Sequence, residues 1–367
     1  MKLGFGLYRT MLNPNELKFA KQAGATHIVA HMPGIATEKG AELAAKYGKK
    51  LGHGYSAPDD PMWTYDGLRD LKAMVNAAGL ELEALENFAP SQWFDILLDG
   101  PRKREQYDGL KRVIRDLGRV GIPVMGYYFS VAGVWGQELG PHARGEALSV
   151  AFDGPPEPLR SRGTVWNMVY DVMTFDPDDP ANALPPVSDE EIRGRFQEFL
   201  NEMAPVAEEA GVRLALHPDD PPMPSLSGAH RLSYSLARYE NILQMHPSRA
   251  NSLEMCLGTM AEMPGEGDIY ETVDRVSKAG RIGYIHFRNV KGKAPHYKEV
   301  FVDEGDTDMI RILGILHRNG YDGVLIPDHT PHMECAAPWH AGMAYAMGYI
   351  RAAMTLIERG GRGLGNG

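Results

Sequence analysis

Four residues of types that bind metal recur through the second half of the chain, each closing a short apolar run. They are His217 after 212–216, Cys256 after 252–255, His286 after 282–285 and Asp328 after 324–327. Their separations are about 39, 30 and 42 residues, close to the length of one strand–helix unit. If each run is a strand of one parallel barrel, the four side chains converge at one rim. Two imidazoles, a thiolate and a carboxylate meeting there would hold a divalent cation.

The earlier strand ends are polar or aromatic too: His31 follows the second run, Glu86 the third, and Tyr127 and Tyr128 close the fourth. In an α/β barrel this rim carries the chemistry. His217 opens His217-Pro218-Asp219-Asp220-Pro221-Pro222, where the prolines stiffen the loop as the imidazole leaves its strand. Asp219 or Asp220 could then orient a ligand imidazole or a sugar hydroxyl, or serve only as a solvated turn acid. Cys256 lies between two His-bearing runs, the setting of a ligand thiolate, whereas Cys335 has no such setting and reads as structural. His286 and Arg288 alternate onto one strand face, so Arg288 could take a substrate carboxylate in two parallel hydrogen bonds. His329 alternates away from Asp328.

Periodicity supplies the elements that must position these groups. Strands are expected at 3–7, 26–30, 80–85, 122–128, 213–216, 252–255, 282–287 and 323–326. Helices are expected near 15–23, 66–79, 105–120, 188–210, 235–245, 268–279, 307–319 and 341–358. Gly24, Gly211, Gly280 and Gly320 read as helix stops, and Asn13-Pro14 and Ser188-Asp189-Glu190-Glu191 as helix starts. Eight strand–helix pairs give a (β/α)8 barrel, a single domain over 1–358. No Gly-rich fingerprint follows the first strand, which argues against a dinucleotide-binding sheet. Residues 131–187, rich in Gly, Pro and Asp, break the rhythm after the fourth strand. The apolar residues Phe152, Val165, Trp166, Met168, Val169 and Tyr170 mark them as a partly ordered lid or dimer arm. The Gly-rich segment 359–367 is expected to be a frayed tail.

The chain has 367 residues, 43% of them hydrophobic, and a net charge of −10 with no basic patch. That excludes nucleic acid and anionic membrane as partners and leaves a small molecule. Two cysteines form no disulfide framework, and no leader or membrane-span pattern opens the chain, so a cytoplasmic setting is expected.

The strings His217-Pro218-Asp219-Asp220-Pro221-Pro222, Cys256-Leu257-Gly258-Thr259, His286-Phe287-Arg288-Asn289-Val290 and Pro327-Asp328-His329 resemble those of the mannonate dehydratases, within the xylose-isomerase-like barrels. The likeness runs in matching order from the first strand to the helix near Met347-Gly348-Tyr349. It implies Mn2+ held by His217, Cys256, His286 and Asp328, although ligand softness alone suits Fe2+ or Zn2+ as well. It implies loss of water from a sugar acid, D-mannonate to 2-keto-3-deoxy-D-gluconate, and a homodimer or higher homo-oligomer. Catalytic roles then fall to Asp328 and Arg288, with His31, Glu86, Asp219, Arg288 and His329 around the substrate. The carbon acid is weak, so the charge that develops must be neutralised by a cation and Arg288.

Two departures from the family pattern stand out. Its catalytic tyrosine falls in Ala341-Gly342-Met343-Ala344-Tyr345-Ala346 and is absent or displaced to Tyr345, and Thr330 stands where the family has Gly-Arg. A sugar isomerase or epimerase on the same barrel, and a non-catalytic sugar-acid-binding relative, are the competing expectations.

Overall fold

Eight short parallel strands close on one another in chain order: Lys2–Tyr8, His27–His31, Glu81–Glu86, Val124–Tyr127, Arg213–Leu216, Asn251–Cys256, Ile282–His286 and Val324–Ile326. The eighth pairs back onto the first, with Lys2 opposite Val324 and Leu3 opposite Leu325. These coordinates are a computed structural model that describes residues 1–33, 45–46, 55–57, 59–134, 136–154 and 159–360. The architecture is the expected (β/α)8 barrel. Its outer helices are Pro14–Gln22, Tyr65–Ala77, Lys103–Val120, Asp189–Ala210, Leu236–Met245, Ile269–Lys278, Met309–Arg318 and Pro338–Gly360.

Local chemistry explains where these helices begin and end. The Asn13 side chain accepts hydrogen bonds from the amides of Asn15 and Glu16, and Ser188 with Glu191 forms a reciprocal capping box. The helices that precede Gly211 and Gly280 stop where those residues adopt φ of 67° and 64°.

Alternation along the strands divides the core in two. Ile28 and Ala30 face the helices and join the large strand–helix core, whereas Val29 joins Ala84, Val124, Ala215, Tyr284, Val324 and Ile326 inside the barrel. Beside the fourth strand the outer core is aromatic. Phe199 packs 5.1 Å from Tyr127, 5.4 Å from Phe129 and 5.9 Å from Trp93, ring centre to ring centre. This cluster fixes the strand end that carries Tyr127 and Tyr128.

Above the strand ends the stretch after the fourth strand builds secondary structure. Gln137–Gly140 and Ser149–Asp153 pair with each other. They complete a four-stranded antiparallel sheet with a hairpin, Asn289–Lys293 and His296–Val300, that follows the seventh strand. That hairpin was not expected from the sequence. Thr164–Val165 and Met168–Val169 form a second, tighter hairpin. Residues 155–158 of the Gly/Pro-rich stretch and the tail from 361 lie outside the described residues; 359 and 360 finish the last helix. Among the described residues no helix is long and apolar enough to cross a membrane.

Because Phe199 is wholly buried among rings, Phe199→Ala should lower stability by roughly 3–5 kcal/mol. A urea titration followed by tryptophan fluorescence would show this, and an unchanged midpoint would mean that the cluster does not hold the fourth strand.

Candidate metal and active site

The ends of the fifth, sixth and seventh strands bring His217, Cys256 and His286 together. One ligand atom from each lies within 4.8 Å of the others. The His217 Nδ1 lies 2.6 Å from the Pro218 carbonyl and donates to it, which turns Nε2 toward Glu254 and the Cys256 sulfur. His286 is almost fully buried and its Nδ1 makes no hydrogen bond. Burial alone would raise the Cys256 thiol, but Arg288, His217 and His286 outweigh it and hold the sulfur well below its ordinary value. For His217 burial opposes the charge, yet Glu254 and the Cys256 sulfur raise it to about 10. Two imidazoles and a stabilised thiolate that meet at one point fit a divalent ion.

Asp328, the fourth expected ligand, lies at the edge of this group. Its Oδ2 is 3.2 Å from His286 Nδ1, 3.4 Å from Arg288 Nε and 3.2 Å from His329 Nε2. His329 does not turn away. Asp328 has a φ of 65°, which breaks the alternation and swings the next ring back beside it. The other His329 nitrogen, Nδ1, is 2.7 Å from Glu299. Burial works against its charge, but Asp328 and Glu299 raise it to about 9.

Arg288 does face the centre as its alternation with His286 predicts, but it is not a free clamp. Its Nη2 donates to Asp220 at 2.6 Å and to Thr259 at 2.9 Å, and its Nη1 donates to Glu262 at 2.8 Å. With both terminal nitrogens committed, the expected two-bond grip on a substrate carboxylate is not offered, and the remaining Nε faces Asp328. Gly258 permits this placement, because a Cβ there would sit 2.4 Å from Arg288 Nη1.

His31 and Glu86 meet in the cavity wall, Nδ1 to Oε1 at 3.0 Å. Asp219 lines the same cavity, but its oxygens are taken by Arg231 Nε at 2.9 Å and the Ser233 amide at 2.7 Å, so it staples the loop. Tyr345 is the clear correction. It does not line the cavity; its hydroxyl accepts from Arg144 at 3.4 Å and its ring packs on Phe301.

The cavity over this centre measures about 630 Å³, within the usual range for small-molecule sites. Tyr8, Glu254, Glu299 and Gln137 are among the contributors that were not anticipated. Tyr8 ends the first strand on the rim, which the strand-end rule would have found. Glu254 lies two residues before Cys256 on the same face, a charge inside an apolar strand and so legible by alternation. Glu299 comes from the unexpected hairpin. Gln137, from the stretch after the fourth strand, donates to Asp220 at 2.9 Å.

Comparison with known proteins decides the family. The profile of D-mannonate dehydratase (UxuA) matches residues 1–146 and 178–358. The chain belongs to the D-mannonate dehydratase family. The mannonate dehydratase of Streptococcus pneumoniae is 30% identical over 286 residues, 75% of this chain and 76% of that protein. The one from Lactococcus lactis subsp. cremoris is 29% identical over 323 residues, 82% of this chain and 89% of that protein. The crystal structure of mannonate dehydratase from Streptococcus suis serotype 2 superposes with a TM-score of 0.75 over 99% of this chain and 96% of that one, at 24% identity. A D-psicose 3-epimerase from Clostridium cellulolyticum shares the fold at a TM-score of 0.54 and 12% identity, covering 96% of this chain and 99% of that one. Family membership makes the chain a hydro-lyase acting on a sugar acid, and the isomerase expectation is not favoured.

Since Tyr345 sits outside the cavity, Tyr345→Phe should keep kcat/KM for the dehydration within about twofold, because a change of 1.4 kcal/mol would already be tenfold. A loss of a hundredfold or more would return this residue to the reaction.

Proposed function

We propose that the chain removes water from D-mannonate to give 2-keto-3-deoxy-D-gluconate, using an ion held by His217, Cys256 and His286 with Asp328 at its edge. The observation that carries this reading is the convergence of three ligand atoms within 4.8 Å at the floor of a cavity, in a chain whose relatives are named for that activity. Mn2+ is the proposed resident ion, with Fe2+ and Zn2+ as competitors for the same ligands. A divalent ion there would supply positive charge to offset the substrate carboxylate.

The chain's own groups move the protons. Asp328 takes the proton from C2. His329, charged at neutral pH and beside Asp328, gives its proton to the C3 hydroxyl, which departs as water. His329 thus replaces the family tyrosine as acid. Arg288 holds Asp328 in place from the floor through its Nε edge. His31, Asn87, Ser130 and Gln137 line the cavity and are placed to bind hydroxyl groups. The stretch 131–187 supplies Gln137, Leu139, Ser149, Val150, Trp166 and Met168 to the cavity, the position of a lid. Leu159 and Met173 on the same stretch are exposed apolar side chains that suit an arm between copies. Two unpaired cysteines suit a reducing, cytoplasmic setting.

Turnover of D-mannonate with added Mn2+, followed as 2-keto-3-deoxy acid, is the direct test. Cys256→Ala and His217→Ala should lose bound metal and activity together. His329→Gln should keep the metal and lose about 10²–10⁴ in kcat. Full activity with unchanged metal content in Cys256→Ala would remove the thiolate from the site.

A further inference from the structure

His217, Cys256, His286 and Asp328 stand at the ends of the fifth to eighth strands, so the reacting end of a substrate belongs to that side of the cavity. The wall across from them rises from the ends of the second, third and fourth strands, with His31, Asn87 and Tyr128. Against that wall sits the turn of the hairpin Thr164–Val165 and Met168–Val169, with Trp166 at its tip. Trp166 and Met168 both line the cavity.

The hairpin is held in place from several sides. The Trp166 indole stacks on the Tyr128 ring at 4.4 Å and 11°, and Trp93 Nε1 in turn donates to the Tyr128 hydroxyl at 3.3 Å. The Trp166 amide donates to the Val131 carbonyl at 2.9 Å, and Asn167 Nδ2 donates to the Val134 carbonyl at 3.3 Å. Gly133 leaves room for this docking, because a Cβ there would lie 2.5 Å from Trp166 Cα. At the base of the hairpin the Ser56 amide donates to the Val169 carbonyl at 3.0 Å, and Tyr170 stacks on Phe94 at 3.9 Å. Trp166 has a φ of 49°, a conformation that a short turn fills best with Asn or Gly. Turn formation therefore does not call for a tryptophan at this position. Tyr128 covers only part of the ring: Trp166 stays half-buried, with its ring centre 5.9 Å from that of His31. An apolar surface and a hydrogen-bonding imidazole thus stand side by side at the end of the cavity away from the proposed ion.

We infer that Trp166 is a specificity-determining residue, whose indole packs on the C–H side of the last carbons of a six-carbon sugar acid and selects it over a shorter one. An open-chain sugar acid turns its hydroxyl groups to polar partners and leaves its C–H bonds for an apolar face such as an indole. An acid that lacks the last carbon would leave part of that face against water. This inference rests on the reaction proposed above, and its test separates the two.

The full-length chain loaded with Mn2+ would be assayed with D-mannonate and with D-lyxonate, which shares the configuration of the first four carbons and lacks the last. The ratio of kcat/KM is expected to favour D-mannonate by about tenfold or more, the usual worth of one carbon in a fitted pocket. Trp166→Ala should bring that ratio to within about threefold, mainly through a higher KM for D-mannonate. Trp166→Phe, which keeps an aromatic ring, should retain most of the preference. A general loss of folding or of metal lowers both acids alike and leaves the ratio in place. An unchanged ratio in Trp166→Ala therefore overturns the inference, as does an unmodified chain with no preference. Where Trp166→Ala does not fold, Trp166→Leu is read in the same way. If neither acid is dehydrated, the reaction proposed above fails, and the same ratio taken on calorimetric dissociation constants decides the inference by itself.

Discussion

The floor of the cavity depends on one buried guanidinium. Arg288 is 4% exposed and ties together four carboxylates that come from separate parts of the chain. Asp220 arrives from the loop after the fifth strand, Glu262 from the short helix Leu257–Glu262, Glu299 from the hairpin and Asp328 from the end of the eighth strand. A buried ion pair of this kind contributes little net stability, but removing its one cation strands several desolvated anions. A lysine could not replace it, because the forked donor reaches Asp220 and Glu262 at once. The consequence for function is geometric: Asp328 is held beside His286 and His329 by a residue that sits two positions along the strand from His286.

The same hub explains what could and could not be read from the sequence. Alternation along the seventh strand was enough to aim Arg288 at the centre, and the eight strands and eight helices followed from apolar periodicity and cap residues. What alternation cannot report is how many partners a charged group meets. Glu262 and Glu299 reach Arg288 from elements that carry no strong signal. The hairpin Asn289–Lys293 and His296–Val300 carries Lys291, Lys293 and Lys298 among its strand residues, and these charges obscure its strand period. His329 was misplaced for a different reason. The rule of alternating faces holds only while the backbone stays extended, and Asp328 leaves that region. Glu254 was legible and overlooked, since a carboxylate between Leu253 and Met255 in a buried strand needs a reason to be there.

The family match also divides the site by depth. The matched segments contain every residue of the floor, from His31 and Glu86 to Asp328. The unmatched segment, 147–177, contains the strand Ser149–Asp153 and the hairpin that ends in Trp166. Trp166 and Asn167 form its two-residue turn with φ of 49° and 56°, and the indole stacks 4.4 Å from the Tyr128 ring. A bulky residue held in that conformation is costly unless its contacts compensate. The floor therefore lies within the segments that match the family, whereas the strand Ser149–Asp153 and Trp166 lie outside them.

The position of Tyr345 has a separate cause. The last helix, Pro338–Gly360, presents Met343 to the core and Tyr345 to the outside of the cavity wall. There its hydroxyl meets Arg144, whose guanidinium also pairs with Asp303, while its ring rests on Phe301. Arg144 comes from the stretch after the fourth strand, and Phe301 and Asp303 follow the hairpin, so Tyr345 joins the two walls to the helix. A side chain tied in this way cannot also deliver a proton to a substrate. In the proposed reaction the proton donor therefore belongs to the rim, where His329 stands 3.2 Å from Asp328 and 2.7 Å from Glu299.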